Sequence, residues 1–307
     1  MVKKDKKAFT KDNIKDLPQR ESTTLLSRIP DKPKKLSVCG NSDLLFDPNL
    51  KFLCVIGSRR HTQYGVEVCE KLISALSGYP VAIVSGLALG IDGLAHEIAL
   101  KAGLPCIAVP GSGLDPDYIY PRSHTYLAEQ IVQAGGLLLS EYEPQTRASP
   151  WSFPMRNRIM AGLSHAILII EGEHDSGTLI TARLGLEYDR DVFAVPGSIF
   201  SPTSEGPLSL IKNGAIPICS SDDLLIALGF KEPVMFRDED RATDAIKNCS
   251  NEEKQVLNLL DSARTREELL EVLPFTVSKL QVILSMLEIR RLTFENVGKI
   301  HRAYTQN

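Results

Sequence analysis

Between residues 52 and 228 short apolar runs alternate strictly with amphipathic stretches, and this alternation restricts the possible folds more than any other feature of the chain. The runs at 52–56, 81–84, 105–109, 137–140, 166–170, 192–195 and 216–219 have the length of strands. Several are apolar throughout, as from Ala166 to Ile170. The stretches at 63–77, 90–102, 122–134, 155–163, 178–189, 207–213 and 222–228 carry helical spacing. Strand and helix in strict alternation require parallel strands joined by crossovers, and a strand without a polar side needs cover on both faces. The pattern predicts an α/β protein with a doubly wound, mostly parallel sheet between two helical layers.

The alternation ends in a charged, proline-containing stretch at 231–250, which reads as a linker. Beyond it, Glu253 to Leu260, Arg266 to Leu273 and Val277 to Leu287 read as short helices, and Leu292 to Tyr304 as a hairpin turning near Val297 and Gly298. That order suits a small winged-helix-like domain over 251–307. Residues 1–35 are polar, aperiodic and rich in lysine, with 11 Lys/Arg against 5 Asp/Glu, and read as a flexible basic arm. The alternating domain is assigned to 36–230.

Charge narrows the function. Residues 36–230 hold 12 Lys/Arg against 20 Asp/Glu, so a polyanion site there must gather its cations locally. Eight of the 12 are arginines, the side chain suited to bidentate phosphate contacts. No apolar run approaches the ~18 residues of a membrane span, and no apolar stretch follows the first lysines as in a secretory signal. A cytoplasmic protein with no membrane partner is expected. The six cysteines lie far apart without ligand spacing, so neither a metal site nor a disulfide framework is expected. Cys54, Cys106 and Cys219 lie in or beside strand-like runs, as small core hydrophobes do.

Ligands of open parallel sheets bind beyond the carboxyl ends of the strands. The first loop there is Gly57-Ser58-Arg59-Arg60, where glycine permits close approach and a helix start supplies amides for an anion. The same residues also suit an ordinary tight turn. The second loop runs from Ser85 and Gly86 to Asp92 and His96, which fall on one helical face at hydrogen-bonding spacing. Asp92 equally suits a capping role. The third carries Gly111, Gly113, Tyr118, Tyr120 and Arg122, aromatics among cations as in sites that stack bases between phosphates. Farther on, Phe153-Pro154-Met155-Arg156-Asn157-Arg158 opens a helix whose two arginines, at i and i+2, point to different sides. Ser176-Gly177-Thr178 forms another phosphate-compatible helix start. Dinucleotide and Walker motifs are absent, no nucleophile has a placed base, and neither a cofactor nor a catalytic group is expected.

Taken in order, these segments resemble the DprA/Smf family of DNA-processing proteins. The resemblance rests on Gly57-Ser58-Arg59 with Tyr64-Gly65, Ser85 to His96, Gly111 to Asp115, Tyr120-Pro121 and Ser140-Glu141. It continues through Phe153 to Arg158 with Ala161 to Ser164, Ser176 to Ala182 and Val192 to Gly197, and it spans roughly 29–229. It implies an extended Rossmann-like fold that binds and protects single-stranded DNA and loads a RecA-type recombinase during natural transformation and recombination. It further implies strand contacts from Gly57, Ser58, Arg59, Ser85, Gly86, Gly111, Gly113, Arg122, Phe153, Arg156, Asn157, Arg158, Ser176, Gly177 and Thr178, with Arg59 and Arg122 as principal cations. A homodimer through the last strands, around Phe193, Ile216 and Ile218, is also implied, with Leu208 standing where the family tends to be polar. Two other readings stay open. One is a nucleotide phosphoribohydrolase of related fold, using Gly177, Thr178 and Glu187. The other is a DNA-binding regulator acting through 250–304 alone, disfavoured because that region is nearly neutral.

Overall fold

Parallel strands buried on both faces build the centre of the computed structural model, which describes residues 9–17, 25–174, 176–231, 249–260, 262–289, 292–296 and 298–302. The chain divides into two units, 1–231 and 232–307. In the first, β1 (Lys15–Asp16), β2 (Ser37–Gly40), β3 (Lys51–Ile56), β4 (Val81–Ser85), β5 (Cys106–Ala108), β6 (Leu137–Ser140), β7 (Ala166–Ile169), β8 (Asp191–Ala194) and β9 (Ile216–Pro217) form a nine-stranded sheet. Its order is β1-β2-β6-β5-β4-β3-β7-β8-β9. From β3 to β9 every pairing is parallel, whereas β2 joins β6, and β1 joins β2, antiparallel. Helices α1 (Gln63–Ser74), α2 (Ile91–Lys101), α3 (Thr125–Gln133), α4 (Ser152–Leu163), α5 (Gly177–Glu187), α6 (Glu205–Lys212) and α7 (Ser221–Ala227) follow the strands as the alternation predicts. Two apolar layers result, one on each face of the sheet. Leu53, Ile83 and Leu168 belong to the first, and Cys54, Val84 and Ile167 to the second. These are alternate residues of the same strands, which is why the runs had to be apolar without interruption.

The amino-terminal stretch departs from the sequence reading. Within 1–35, the described residues 9–17 and 25–35 are packed onto the domain and do not form a flexible arm. Phe9 joins one apolar layer, and Leu26 and Ile29 join the other. These apolar residues are too scattered to produce a period, so composition alone made the stretch look unstructured. Cys219 also departs from expectation: it is exposed, while Cys54 and Cys106 are buried.

The linker expected at 231–250 falls, apart from its ends, outside the described residues. The second unit contains α8 (Asn251–Leu259), α9 (Arg266–Val272) and α10 (Val277–Ile289), then the hairpin β10 (Thr293–Asn296) and β11 (Lys299–Arg302). Ser250 with Glu253 and Thr265 with Glu268 form reciprocal capping boxes that fix the starts of α8 and α9. Gly298 turns the hairpin at φ +71°. These helices and the hairpin enclose a core of their own around Val256, Leu269 and Leu287. Among the described residues no single helix is long and apolar enough to cross a membrane.

Candidate functional site

The chain runs from β3 outward through β4 and β5 to β6, then crosses to β7 on the other side of β3. The loops after β3 and β7 therefore diverge, which opens a crevice at their carboxyl ends. A cleft of about 570 Å³ lies there, between the loop Gly57–Arg60, the start of α4 and the start of α5. Nine of the residues expected to contact a strand line it: Gly57, Ser58, Arg59, Phe153, Arg156, Asn157, Ser176, Gly177 and Thr178.

Each is held by local chemistry. Ser58 Oγ accepts from the Arg60 amide at 3.0 Å, which shapes the turn carrying Arg59. The Arg59 guanidinium sits 4.9 Å from the centroid of the Phe153 ring, and that ring meets Tyr120 at 5.7 Å. Arg156 is 4 % exposed; one of its terminal nitrogens donates to the Val109 carbonyl, and its Nε has no protein partner. Beside it the buried Asp92 carboxylate accepts from the Gly86 amide at 3.2 Å. Burial pushes the Asp92 pKa up, and the Arg156 charge opposes that shift. Two glycines make room for this arrangement. A Cβ at Gly86 would overlap Arg156, and one at Gly111 would lie 2.6 Å from the Phe153 ring.

At the start of α5, Ser176 makes no side-chain cap and its Oγ is without a hydrogen-bond partner, whereas Thr62 caps α1 through the Gly65 amide. Gly177 and Thr178 of the first turn line the cleft at the positive end of the helix dipole, an arrangement that suits anions. Among the described lining residues, Arg59, Arg60 and Arg156 stand against Asp92 and Glu173, so the cleft is locally positive within an acidic domain.

The remaining expected contacts stand elsewhere. Arg158 points away from the cleft and donates to both carboxylate oxygens of Glu141, with Asp31 at 3.7 Å from its Nε. Its i+2 offset from Arg156 places it on the other side of α4, where it fastens the amino-terminal stretch. Ser85 is fully buried and donates to the Val55 carbonyl at 2.6 Å. Gly113 packs against the carbonyls of Glu143 and Pro144, which leaves no room for a ligand. Arg122 is outside the cleft lining; its side chain is 70 % exposed and lies 3.8 Å from Asp117. Asp92 and His96 make no hydrogen bond, because Asp92 is turned toward the loop amides and Arg156. Burial drives the His96 pKa down to about 3, so the imidazole is neutral. Glu187, which the phosphoribohydrolase reading needs, is exposed at the far end of α5 and outside the lining. At the other sheet edge, Phe193 and Ile218 are core residues, 0 % and 1 % exposed, and present no surface to a partner. Ile216 is 45 % exposed and Leu208 is half-buried.

The sequence reading passed over Pro150, Met160, Ile180 and Thr181 as cleft residues. Thr181 follows Thr178 by one helical turn, a spacing that marks it for the same face. Pro150 carries no such signal.

Comparison with known proteins places the chain in a family. Residues 13–229 match the model of the family described as DNA recombination-mediator protein A. The chain is 39% identical over 219 residues to the DNA processing protein DprA of Bacillus subtilis, covering 71% of this chain and 72% of that protein. It is 45% identical over 178 residues to protein Smf of Escherichia coli, covering 58% of this chain and 47% of Smf, so it spans about half of that relative's length. DNA processing protein A from Helicobacter pylori, whose structure is described for its single-stranded DNA binding mode, superposes with a TM-score of 0.64 at 31% identity, covering 73% of this chain and 98% of that one. With the match extending over the whole alternating domain, the chain is a member of the DNA recombination-mediator protein A family.

Proposed function

We propose that the cleft binds single-stranded DNA and that the protein, acting by binding and without catalysis, protects such strands in the cytoplasm and hands them to a RecA-type recombinase during DNA uptake and recombination. One observation carries the reading: one cleft joins the start of α5 and the buried Arg156 to an arginine lying on an aromatic ring, Arg59 on Phe153. Helix amides and guanidinium groups suit phosphates, while Phe153 and Tyr120 offer faces to bases. Only unpaired bases have free faces to offer in return. Little sequence preference is expected, since every base has a π-face. The binding mode described for the Helicobacter pylori relative supports the same assignment. Arg122, exposed near Tyr120, is an outer phosphate contact in this scheme. The protein acts as a homodimer whose copies meet through side chains such as Ile216 and Leu208 at the β9 edge.

Titration of an oligothymidine and a matched duplex at one salt concentration tests the proposal. The single strand binds more tightly, and Arg59→Ala weakens it while lowering the slope of log affinity against log salt by ~0.7. Equal affinity for both forms overturns the reading. On strands precoated with a competing single-strand-binding protein, the chain accelerates RecA filament growth. No acceleration, together with release of free base from AMP, restores the phosphoribohydrolase alternative.

A further inference from the structure

Beside the mouth of the cleft, the chain holds a large aromatic side chain out in water on a rigid support. Trp151 is 60 % exposed, although Pro150 and Phe153 on either side of it line the cleft. It is fixed from below. Ser152 Oγ accepts from the Ser149 amide at 3.0 Å and donates to the Gly111 carbonyl, and the Ser152 amide donates to the Ser149 carbonyl at 3.0 Å. Tyr142 donates from its hydroxyl to the Ser152 carbonyl at 3.1 Å and meets the indole edge-on, with centroids 5.6 Å apart and planes at 83°. The edge-on contact occupies one side of the indole and leaves most of the ring in solvent. Exposing so much apolar surface has no benefit for folding.

The surrounding loop has the character of a strand-binding surface. It is laced to the third glycine loop by the Gly113 amide donating to Thr146 at 2.9 Å and the Asp115 amide donating to Pro144 at 3.0 Å. Arg147, exposed on the same loop, lies 5.5 Å from the Tyr118 ring centroid. Of the acidic side chains near this rim, Glu141 is held by Arg158, while Glu143 and Asp117 make longer, exposed contacts to Lys35 and Arg122. Aromatic faces and arginines continue outward from Arg59, Phe153 and Tyr120 to Tyr118 and Arg147. A surface fixed in advance loses little conformational entropy when a ligand docks on it.

We infer that Trp151, backed by Tyr142, is a stacking post for a base of the strand as it leaves the cleft, with Arg147 meeting the phosphate chain nearby. The inference rests on the single-stranded DNA reading and adds a contact outside the cleft. The chain contains a single tryptophan, so the post reports on itself. The full chain is titrated with a 20-nucleotide oligothymidine while tryptophan emission and the anisotropy of an end-labelled copy are followed in parallel. Emission is quenched along the same isotherm as anisotropy, and an abasic oligonucleotide of equal length quenches much less. Trp151→Ala weakens binding by about 5- to 150-fold, the range of one base–aromatic stack, while Trp151→Phe retains most of the affinity. A rise in anisotropy with unchanged emission overturns the inference and leaves the cleft reading standing, as does equal quenching by the abasic strand. A flat anisotropy signal overturns both. Should Trp151→Ala fail to fold, the wild-type emission titrations decide alone.

Discussion

Arg158 and Arg156 are two positions apart on one helix, yet they face opposite kinds of environment. Arg158 is 8 % exposed and shares its charge with Glu141 and Asp31, whereas Arg156 lines the cleft. Removing one member of a buried ion pair leaves the other charge uncompensated and costs about 3–5 kcal/mol. Arg158→Ala is therefore expected to lower the stability of the domain by ~3 kcal/mol in urea unfolding. Its single-stranded DNA affinity, measured at a temperature where it is folded, stays near that of the parent chain. A loss of affinity as large as that of Arg59→Ala would return Arg158 to the binding surface. At this scale sequence supplied the candidates but only partly their roles. The i+2 spacing said that the arginines diverge, but which one turned toward the cleft depended on Glu141 and Asp31, residues far apart in sequence. The Asp92–His96 pair shows the converse. Helical spacing made a hydrogen bond feasible, and Arg156 with the Gly86 amide competed successfully for the carboxylate.

Among the elements, the edge strand β9 departs most from the expectation placed on it. It has two residues, and Pro217 has no amide to donate, so little backbone is available for pairing with another sheet. A second copy would have to be met by side chains, and Phe193 and Ile218 are withdrawn into the core. Ile216→Asp is accordingly expected to shift the protein from dimer to monomer in sedimentation velocity at micromolar concentration without altering its circular dichroism. A parent chain that is monomeric in the same run defeats the homodimer proposal. The parallel strands were legible because burial on both faces writes an unbroken apolar run. Strands β1 and β2 were not, since Lys15–Asp16 is fully exposed and Ser37–Gly40 is too short to show a pattern. The start of α5 was half-legible. Ser176-Gly177-Thr178 announced a helix start, but a serine at that position normally caps, and here its side chain does not.

For the molecule as a whole, the cleft residues belong to one unit and the carboxyl-terminal helices and hairpin to the other. The family match ends at residue 229, and every residue lining the cleft belongs to the first unit. Each unit has its own apolar core. A chain ending at residue 231 is expected to fold and to bind single-stranded DNA with little change in affinity, measured by anisotropy beside the full chain. Abolished binding by a folded truncation would assign the principal contacts to the second unit. The alternation ends near residue 230, beside the boundary between the units. The packed amino-terminal stretch was not legible in the sequence, because its anchors, Phe9, Leu26 and Ile29, are separated by polar residues.

The antiparallel seam between β2 and β6 also orders events in time. Residues 37–40 join the parallel strands only through 137–140, so about 100 further residues must be synthesised before that pairing exists. At ~5–20 residues per second this amounts to roughly 5–20 s. Throughout that interval residues 37–40, and residues 15–16 paired to them, have no strand of the parallel sheet to join, so a segment made early settles only after one made late.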